Sequence, residues 1–131
     1  MIADRPDFLT VSTNNAYSNV MSQKLSQRME RVSKYIQDHY QNTITLREIS
    51  DIASMTEQSF SRWFRQTSGL TFVDYLMQLR TTVASNLLIN TNKAMTEVAT
   101  ESGFNSSSSF NRAFLKIKGC SPREFRKKKK I

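Results

Sequence analysis

From Ser22 onward the apolar residues fall at helical spacing. Leu25, Met29, Val32 and Ile36 share one face, with Arg28, Arg31 and Lys34 off it. This pattern predicts a helix ending near Tyr40. Residues 1–21 are polar, rich in Ser, Asn and Thr and without clear helical period, and read as a linker or disordered N-terminal segment. Ile44-Thr45-Leu46-Arg47-Glu48-Ile49 then has the chemistry of a helix start. Thr45 can cap, Glu48 can reach back in a capping box, and Ile44 can staple to Ile49. That short helix should stop near Ala53, with a break at Ser54-Met55 and a new cap at Thr56. A short helix, a tight turn and a second helix make a helix-turn-helix over about 45–67. In its second helix Phe60, Trp63 and Phe64 point one way, and Glu57, Gln58, Ser61, Arg62 and Arg65 lie toward the other.

Gly69 fits a C-terminal stop, and Thr71 opens a longer helix. Its apolar stripe is Phe72, Leu76, Leu79, Val83, Leu87 and Leu88. Over about 71–89 it would be roughly 28 Å long, long enough to hold two units apart at a fixed spacing. A second helix-turn-helix is expected over about 96–118. Glu97-Val98-Ala99 belongs to its short helix, and Gly103 suits a turn that needs positive φ. Ser121-Pro122-Arg123-Glu124 starts a last short helix, with Ser as cap, Pro at the first position and Glu closing a capping box.

The chain repeats itself. Ser59-Phe60-Ser61-Arg62-Trp63-Phe64 returns as Ser109-Phe110-Asn111-Arg112-Ala113-Phe114. Gly69 and Gly119 follow at equal distance, then Thr71 and Ser121, Asp74 and Glu124, Tyr75 and Phe125. Such self-similarity marks a repeated structural unit. It also decides the run Asn105-Ser106-Ser107-Ser108-Ser109, which alone would read as flexible linker. In register with Thr56–Ser59 the serines open a helix, capped by Asn105 or Ser106. Phe110, Phe114 and Ile117 then face the core, and Ser107, Ser108, Asn111, Arg112 and Lys116 face out. The expected fold is all-α, with about seven helices: two helix-turn-helix subdomains joined by a long central helix. Residues 22–131 form the folded domain.

Composition narrows the partner. The 131 residues carry 19 Lys+Arg against 11 Asp+Glu, a net charge of +8 that attracts nucleic acid or an anionic membrane. No apolar run approaches the ~20 residues of a membrane span, so no membrane partner is expected. After Ser102 the one acid is Glu124, while Arg112, Lys116, Lys118, Arg123, Arg126 and Lys127–Lys130 supply a positive end. A solvated, solubilising tail is the competing reading of Lys127–Lys130. Cys120 is the single cysteine and suits a reducing cytoplasm. His39 is the single histidine, so a His-based triad or a His/Cys metal site lacks partners. No cofactor, metal or catalytic residue is expected.

A helix that enters the major groove turns its first turns toward base edges. Arg pairs bidentately with guanine, Gln or Asn with adenine, and Ser with several partners. The base-reading candidates are therefore Gln58, Ser61 and Arg62 in the first helix, and Ser107, Ser108, Asn111 and Arg112 in the second. Arg47, Thr56, Arg65, Ser106 and Lys116 are candidates for phosphate, through side chains or the amides of the helix starts. The competing reading for Arg62 and Arg112 is a surface ion pair. Phe60, Trp63, Phe64, Phe110 and Phe114 read as core rather than as base-stacking platforms. Arg80 reads as a buried structural ion-pair partner or a phosphate contact, with structure favoured.

The run from about Thr45 to Arg126 resembles the DNA-binding domain of the AraC/XylS transcriptional regulators. The matching residues are Phe64 through Gly69 with Tyr75, Arg80, Ala84 and Leu87-Leu88, then Val98-Ala99 with Gly103-Phe104, Phe110 with Arg112 and Phe114, and Gly119 with Ser121-Pro122 and Phe125-Arg126. The resemblance implies two units bound to successive major-groove segments on one face of double-stranded DNA, and RNA polymerase as a partner in activation. Carried over by position, Gln58, Ser61, Arg62, Ser107, Ser108 and Arg112 face bases. Ser50 stands where Ala is usual, Ser54 where Gly is frequent and Phe125 where Tyr is usual. The polar stretch up to about Met21 resembles an interdomain linker, which implies a missing N-terminal effector or dimerisation domain; a naturally short regulator is the alternative. The leading reading is a cytoplasmic, sequence-specific transcription regulator acting as an activator. Against it stand a nonspecific basic or architectural nucleic-acid binder, an enzyme, which no paired carboxylates or phosphate loop support, and a protein-interaction module.

Overall fold

Capping chemistry sets most of the helix boundaries. The computed structural model describes residues 12–129, with side chains from residue 18. Seven α-helices follow one another among them: α1 (Ser12–His39), α2 (Leu46–Ile52), α3 (Glu57–Ser68), α4 (Phe72–Asn90), α5 (Met95–Glu101), α6 (Ser107–Lys118) and α7 (Pro122–Lys129). At α2 the capping box forms in full: the Glu48 amide donates to Thr45 Oγ1 at 3.1 Å, and the Thr45 amide donates to the Glu48 carboxylate at 3.3 Å. Thr56 Oγ1 accepts from the Ser59 amide at 3.2 Å, and Thr71 Oγ1 from the Asp74 amide at 3.1 Å. Ser106, not Asn105, caps α6, accepting from the Ser109 amide at 3.1 Å. Ser121 and Glu124 close the last box reciprocally. Gly69 and Gly119 end α3 and α6 in the left-handed region, at φ 81° and 80°.

Two separate cores hold the chain together. Val32, Ile36, Ile44, Ile49, Ala53, Phe60, Trp63, Phe64, Phe72 and Leu76 form the first. Ala84, Leu88, Val98, Ala99, Phe104, Phe110, Phe114 and Phe125 form the second. Burying a Phe completely contributes about 1.5–3 kcal/mol, so Phe60, Phe64, Phe110 and Phe114, all fully buried, are the anchors. Each unit is thus a leading helix, a helix-turn-helix and a trailing helix. The α4 helix trails the first unit with its N-terminal half and leads the second with its C-terminal half.

Two expectations need correction. The first helix begins at Ser12, not near Ser22. Residues 18–27 are all exposed, so no packing demands an apolar period there. Helix nucleation is the costly step; the half buried through Val32 and Ile36 supplies the nucleus, and the polar residues extend it. Leu25, at 43% exposure, lies on this extension, and the expected stripe is buried only from Met29 onward. Residues 1–11 of the expected linker, and Lys130, lie outside the described residues.

The second correction concerns α4. Its buried face is Phe72, Leu76, Arg80, Thr81, Ala84, Ser85 and Leu88. Leu79, Val83 and Leu87 of the expected stripe are only half-buried. The helix serves two cores in turn, so burial moves around its axis, and its midpoint carries polar residues where the cores meet. Arg80 is buried there, with no ion pair among the described residues. Its Nε donates to the Tyr40 carbonyl and its Nη2 to the Asn42 carbonyl, both at 2.9 Å. These oxygens lie just beyond the C-terminal end of α1, where the helix dipole favours a cation. Burial lowers the Arg80 pKa, yet an arginine stays charged in proteins.

Candidate nucleic-acid interface

The outward faces of α3 and α6 are built alike. In each helix the aromatic side is fixed in a core, which leaves the opposite side to solvent. All the expected interface residues are exposed: Gln58, Ser61, Arg62, Ser107, Ser108, Asn111 and Arg112, together with Arg47, Thr56, Arg65, Ser106 and Lys116. Neither Arg62 nor Arg112 has an ion-pair partner among the described residues. Glu57 lies in the same groove as Arg62 without pairing with it. The cap hydroxyls of Thr56 and Ser106 already accept amide protons. What these helix starts offer an anion is the positive end of the helix dipole and the remaining first-turn amides.

Gln58, Ser61, Arg62 and Arg65 share one shallow groove with Leu46 and Glu57. Ser107 and Asn111 share the corresponding groove of the second unit with Met95, Thr96, Phe110, Ser121, Pro122 and Arg123. Leu46 and Met95 are the first residues of α2 and α5, so each reading helix is flanked by the start of its partner helix. Lys116 does not join either group. It lines a third groove between α4 and α6 with Leu70, Asp74, Met77, Gln78, Ala113 and Ile117.

Two residues outside the candidate set, Thr96 and Arg123, lie in the second unit's groove. Both are exposed beside Ser107 and Asn111. The repeat could have pointed to Thr96, because it follows Met95 as Arg47 follows Leu46. Arg126, counted with the positive C-terminal end, also has a structural role. Its guanidinium is committed to the end of α4 and the loop after it: Nε donates to Leu88 O at 3.1 Å, Nη1 to Lys93 O at 2.7 Å and Nη2 to Thr91 O at 3.2 Å. Arg126 thus does for the end of α4 what Arg80 does for the end of α1.

Local electrostatics support the frame. A hydrogen bond from the Tyr35 hydroxyl, with the Thr45 amide behind it, holds the Glu48 carboxyl below its ordinary value. The Ser121 amide and hydroxyl do the same for Glu124. The Glu101 carboxylate raises Lys93, which it meets at 2.7 Å. None of the residues in these pairs is among the expected base readers. Among the described residues no group of His, Cys, Asp or Glu could hold a metal ion, and no helix is long and apolar enough to cross a membrane.

Comparison with known proteins follows the same lines. A family model described as a helix-turn-helix domain matches residues 49–128, from the middle of α2 into α7. This chain belongs to the AraC/XylS family of transcriptional regulators. The transcriptional activator RhaS of Enterobacter sp. (strain 638) is 30% identical over 99 residues, covering 76% of this chain and 36% of RhaS. The C-terminal domain of AraT, a response regulator from Geobacillus stearothermophilus, superimposes with a TM-score of 0.77 at 30% identity, over 82% of this chain and 89% of that one. The DNA-binding domain of the transcriptional factor AdpA, solved in complex with a target DNA, gives a TM-score of 0.72 at 25% identity, over 79% and 90%. The chain spans half or less of the length of the curated AraC-type relatives it matches. The seven helices among the described residues have the family's two-unit DNA-binding architecture.

Proposed function

We propose that this chain regulates transcription by reading two adjacent major-groove segments of duplex DNA, α3 in one and α6 in the next. The observation that carries the reading is the pair of exposed, unpartnered arginines, Arg62 and Arg112, at equivalent places on two helices whose opposite faces are locked in separate cores. Gln58, Ser61 and Arg62 read one block of bases; Ser107, Ser108, Asn111 and Arg112 read the other. Arg47, Arg65 and the amides at Thr56 and Ser106 hold phosphates, and Arg123 and Thr96 join them beside α6. Lys116, set apart in the groove between α4 and α6, reaches backbone between the two blocks. Two blocks one helical turn apart lie about 34 Å from each other, so one chain suffices for both.

The role is binding rather than catalysis, in the cytoplasm where the chromosome lies. Activation through RNA polymerase is supported by the relatives named as activators, RhaS among them. An additional effector domain is in keeping with the greater length of those relatives.

Selection of binding sites from a random duplex pool, at near-physiological salt, tests the reading. Two short enriched blocks about one helical turn apart are expected. Binding without enrichment would instead point to a nonspecific basic binder. In vitro transcription from a promoter carrying the enriched site then tests activation, with increased transcript as the expected result.

A further inference from the structure

Where the two units meet, they touch through backbone. The loop after α1 carries Tyr40, Gln41 and Asn42; the turn between α5 and α6 carries Gly103. A Cβ on Gly103 would lie 2.3 Å from the Tyr40 carbonyl oxygen, 2.8 Å from Arg80 Nε and 3.2 Å from Gln41 Cα. Only a glycine, at φ 97°, lets the second unit's turn come this close to the first unit's loop. Arg80 fills the junction from α4, its fork bonded to Tyr40 O and Asn42 O. On the rim, Gln41 Nε2 donates to the Glu101 carbonyl at 2.9 Å. A loop of one unit, a turn of the other and the middle of the connecting helix are thereby tied into one node.

We infer that this node, with Arg80 as its positioning residue and Gln41 as its rim, sets which spacing between two DNA blocks the protein accepts. A single helix shared by two cores would leave the units free to swing as the helix bends. The node removes that freedom at a point that touches neither reading face. Adding one base pair between the blocks shifts the second by about 3.4 Å and turns it by roughly 35°. A braced pair of reading helices cannot follow both changes, so the second unit loses its base contacts. A loosened pair can follow. Arg80 therefore governs spacer discrimination without contacting a base or a phosphate.

The inference rests on the two-block reading, and its test separates the two. Purified wild type, Arg80→Lys and Gln41→Ala are titrated against duplexes carrying both selected blocks at the selected spacer and at one or two base pairs more or fewer, and against a single block. Lysine keeps the charge but has one nitrogen for two carbonyls. For wild type the off-spacer penalty should be at least about tenfold, the worth of one good base contact. Arg80→Lys should cut that penalty to within about threefold while single-block affinity stays the same, and Gln41→Ala should cut it by a smaller factor. An unchanged penalty in both variants, or a uniform loss on every duplex, overturns the node's role. Should Arg80→Lys fail to fold by circular dichroism, Gln41→Ala decides, because its exposed side chain makes the rim bond alone. A wild type that selects no two-block site overturns the underlying reading instead.

Discussion

The helix-turn-helix of α2 and α3 and that of α5 and α6 solve the same folding problem with different means. In the first turn Ser54 takes the left-handed conformation, at φ 59°, and is exposed. In the second, Gly103 takes it, buried against the other unit's backbone. Thr45 caps α2 with its own hydroxyl, while Ala94 brings no side-chain cap to α5 and relies on Glu97 accepting its amide proton at 3.1 Å. The second turn is also one residue longer, because Gly103, Phe104 and Asn105 separate its caps where Ser54 and Met55 suffice in the first. A repeat therefore conserves the path of the chain more strictly than the residues that make the path. Each local departure follows from what lies outside that turn.

The turns offer the sharpest way to break the equivalence. Gly103→Ser forces a Cβ against the Tyr40 carbonyl in a left-handed backbone. The conformational term of about 1–2 kcal/mol and an overpacking term of similar size should cost about 3 kcal/mol together. At the matching site Ser54→Gly relieves the same conformational term with nothing nearby to displace, and should stabilise by about 0.5 kcal/mol after the entropy glycine loses on folding. Urea unfolding of both variants gives the two signs. Equal and small effects would mean that the junction at Gly103 yields.

The reading faces come next in size. Arg62→Ala and Arg112→Ala should each weaken binding to the selected site by about 1–3 kcal/mol and relax specificity at one base, each in a different block. A repeated site selection with each variant checks this. Loss at every sequence alike would reduce that arginine to a phosphate contact. The faces are not copies: α3 starts with Glu57, where α6 has Ser107. Arg65 and the exposed Leu115 also occupy matching positions, so the two blocks should differ in sequence.

These contrasts also mark what could be read from the chain. Capping boxes, the aromatic faces of α3 and α6 and the glycine stops were legible because their partners lie within a few residues. The register of the repeat turned a serine run into a helix start for the same reason. The roles of Arg80 and Arg126 were not legible. Their acceptors are backbone carbonyls some forty residues away, and a carbonyl leaves no mark in the identity of its residue. Arg80 reads as an ion-pair partner or a phosphate contact, with a structural role favoured; the role is structural, but sequence shows acids and not carbonyls. Polar Thr81 and Ser85 are hidden inside α4 by the meeting of two cores, which no single-helix periodicity reveals. The helical extension over 12–21 was missed because it is set by its packed neighbour and not by its own pattern.

The caps give a smaller, paired test. Thr45→Ala should destabilise by about 1 kcal/mol, and Ala94→Thr should stabilise by about 0.5–1 kcal/mol by supplying the hydroxyl α5 lacks. Thermal melts of the two single variants and of their combination check both. Helices that respond only at Thr45 would show that the Glu97 contact already satisfies the start of α5.

The smallest effect is that of pH. Glu48 is held below its ordinary value near 4.5 by the Tyr35 hydroxyl, which ties α2 to α1. A carboxyl with a lowered folded-state pKa gives its full stabilisation above the unfolded value and loses it as pH falls through the folded value. The first unit should therefore weaken as pH drops below about 4.5, and Glu48→Gln should flatten that part of the profile. Glu124 at the start of α7 shifts in the same direction and adds a share that Glu48→Gln leaves in place. Lys93 works with the opposite sign. Its pKa is raised above 10.5 by Glu101, so its contribution is complete below that value and is lost as pH rises through the folded value. The second unit's loop should thus loosen in alkali; the first unit's helix pair should loosen in acid and, because the same Tyr35–Glu48 bond raises the Tyr35 pKa, in alkali as well. Melting curves of wild type, Glu48→Gln and Lys93→Met across both limbs check this. A Glu48→Gln profile that keeps the full acid slope would show that the Tyr35 contact carries none of it.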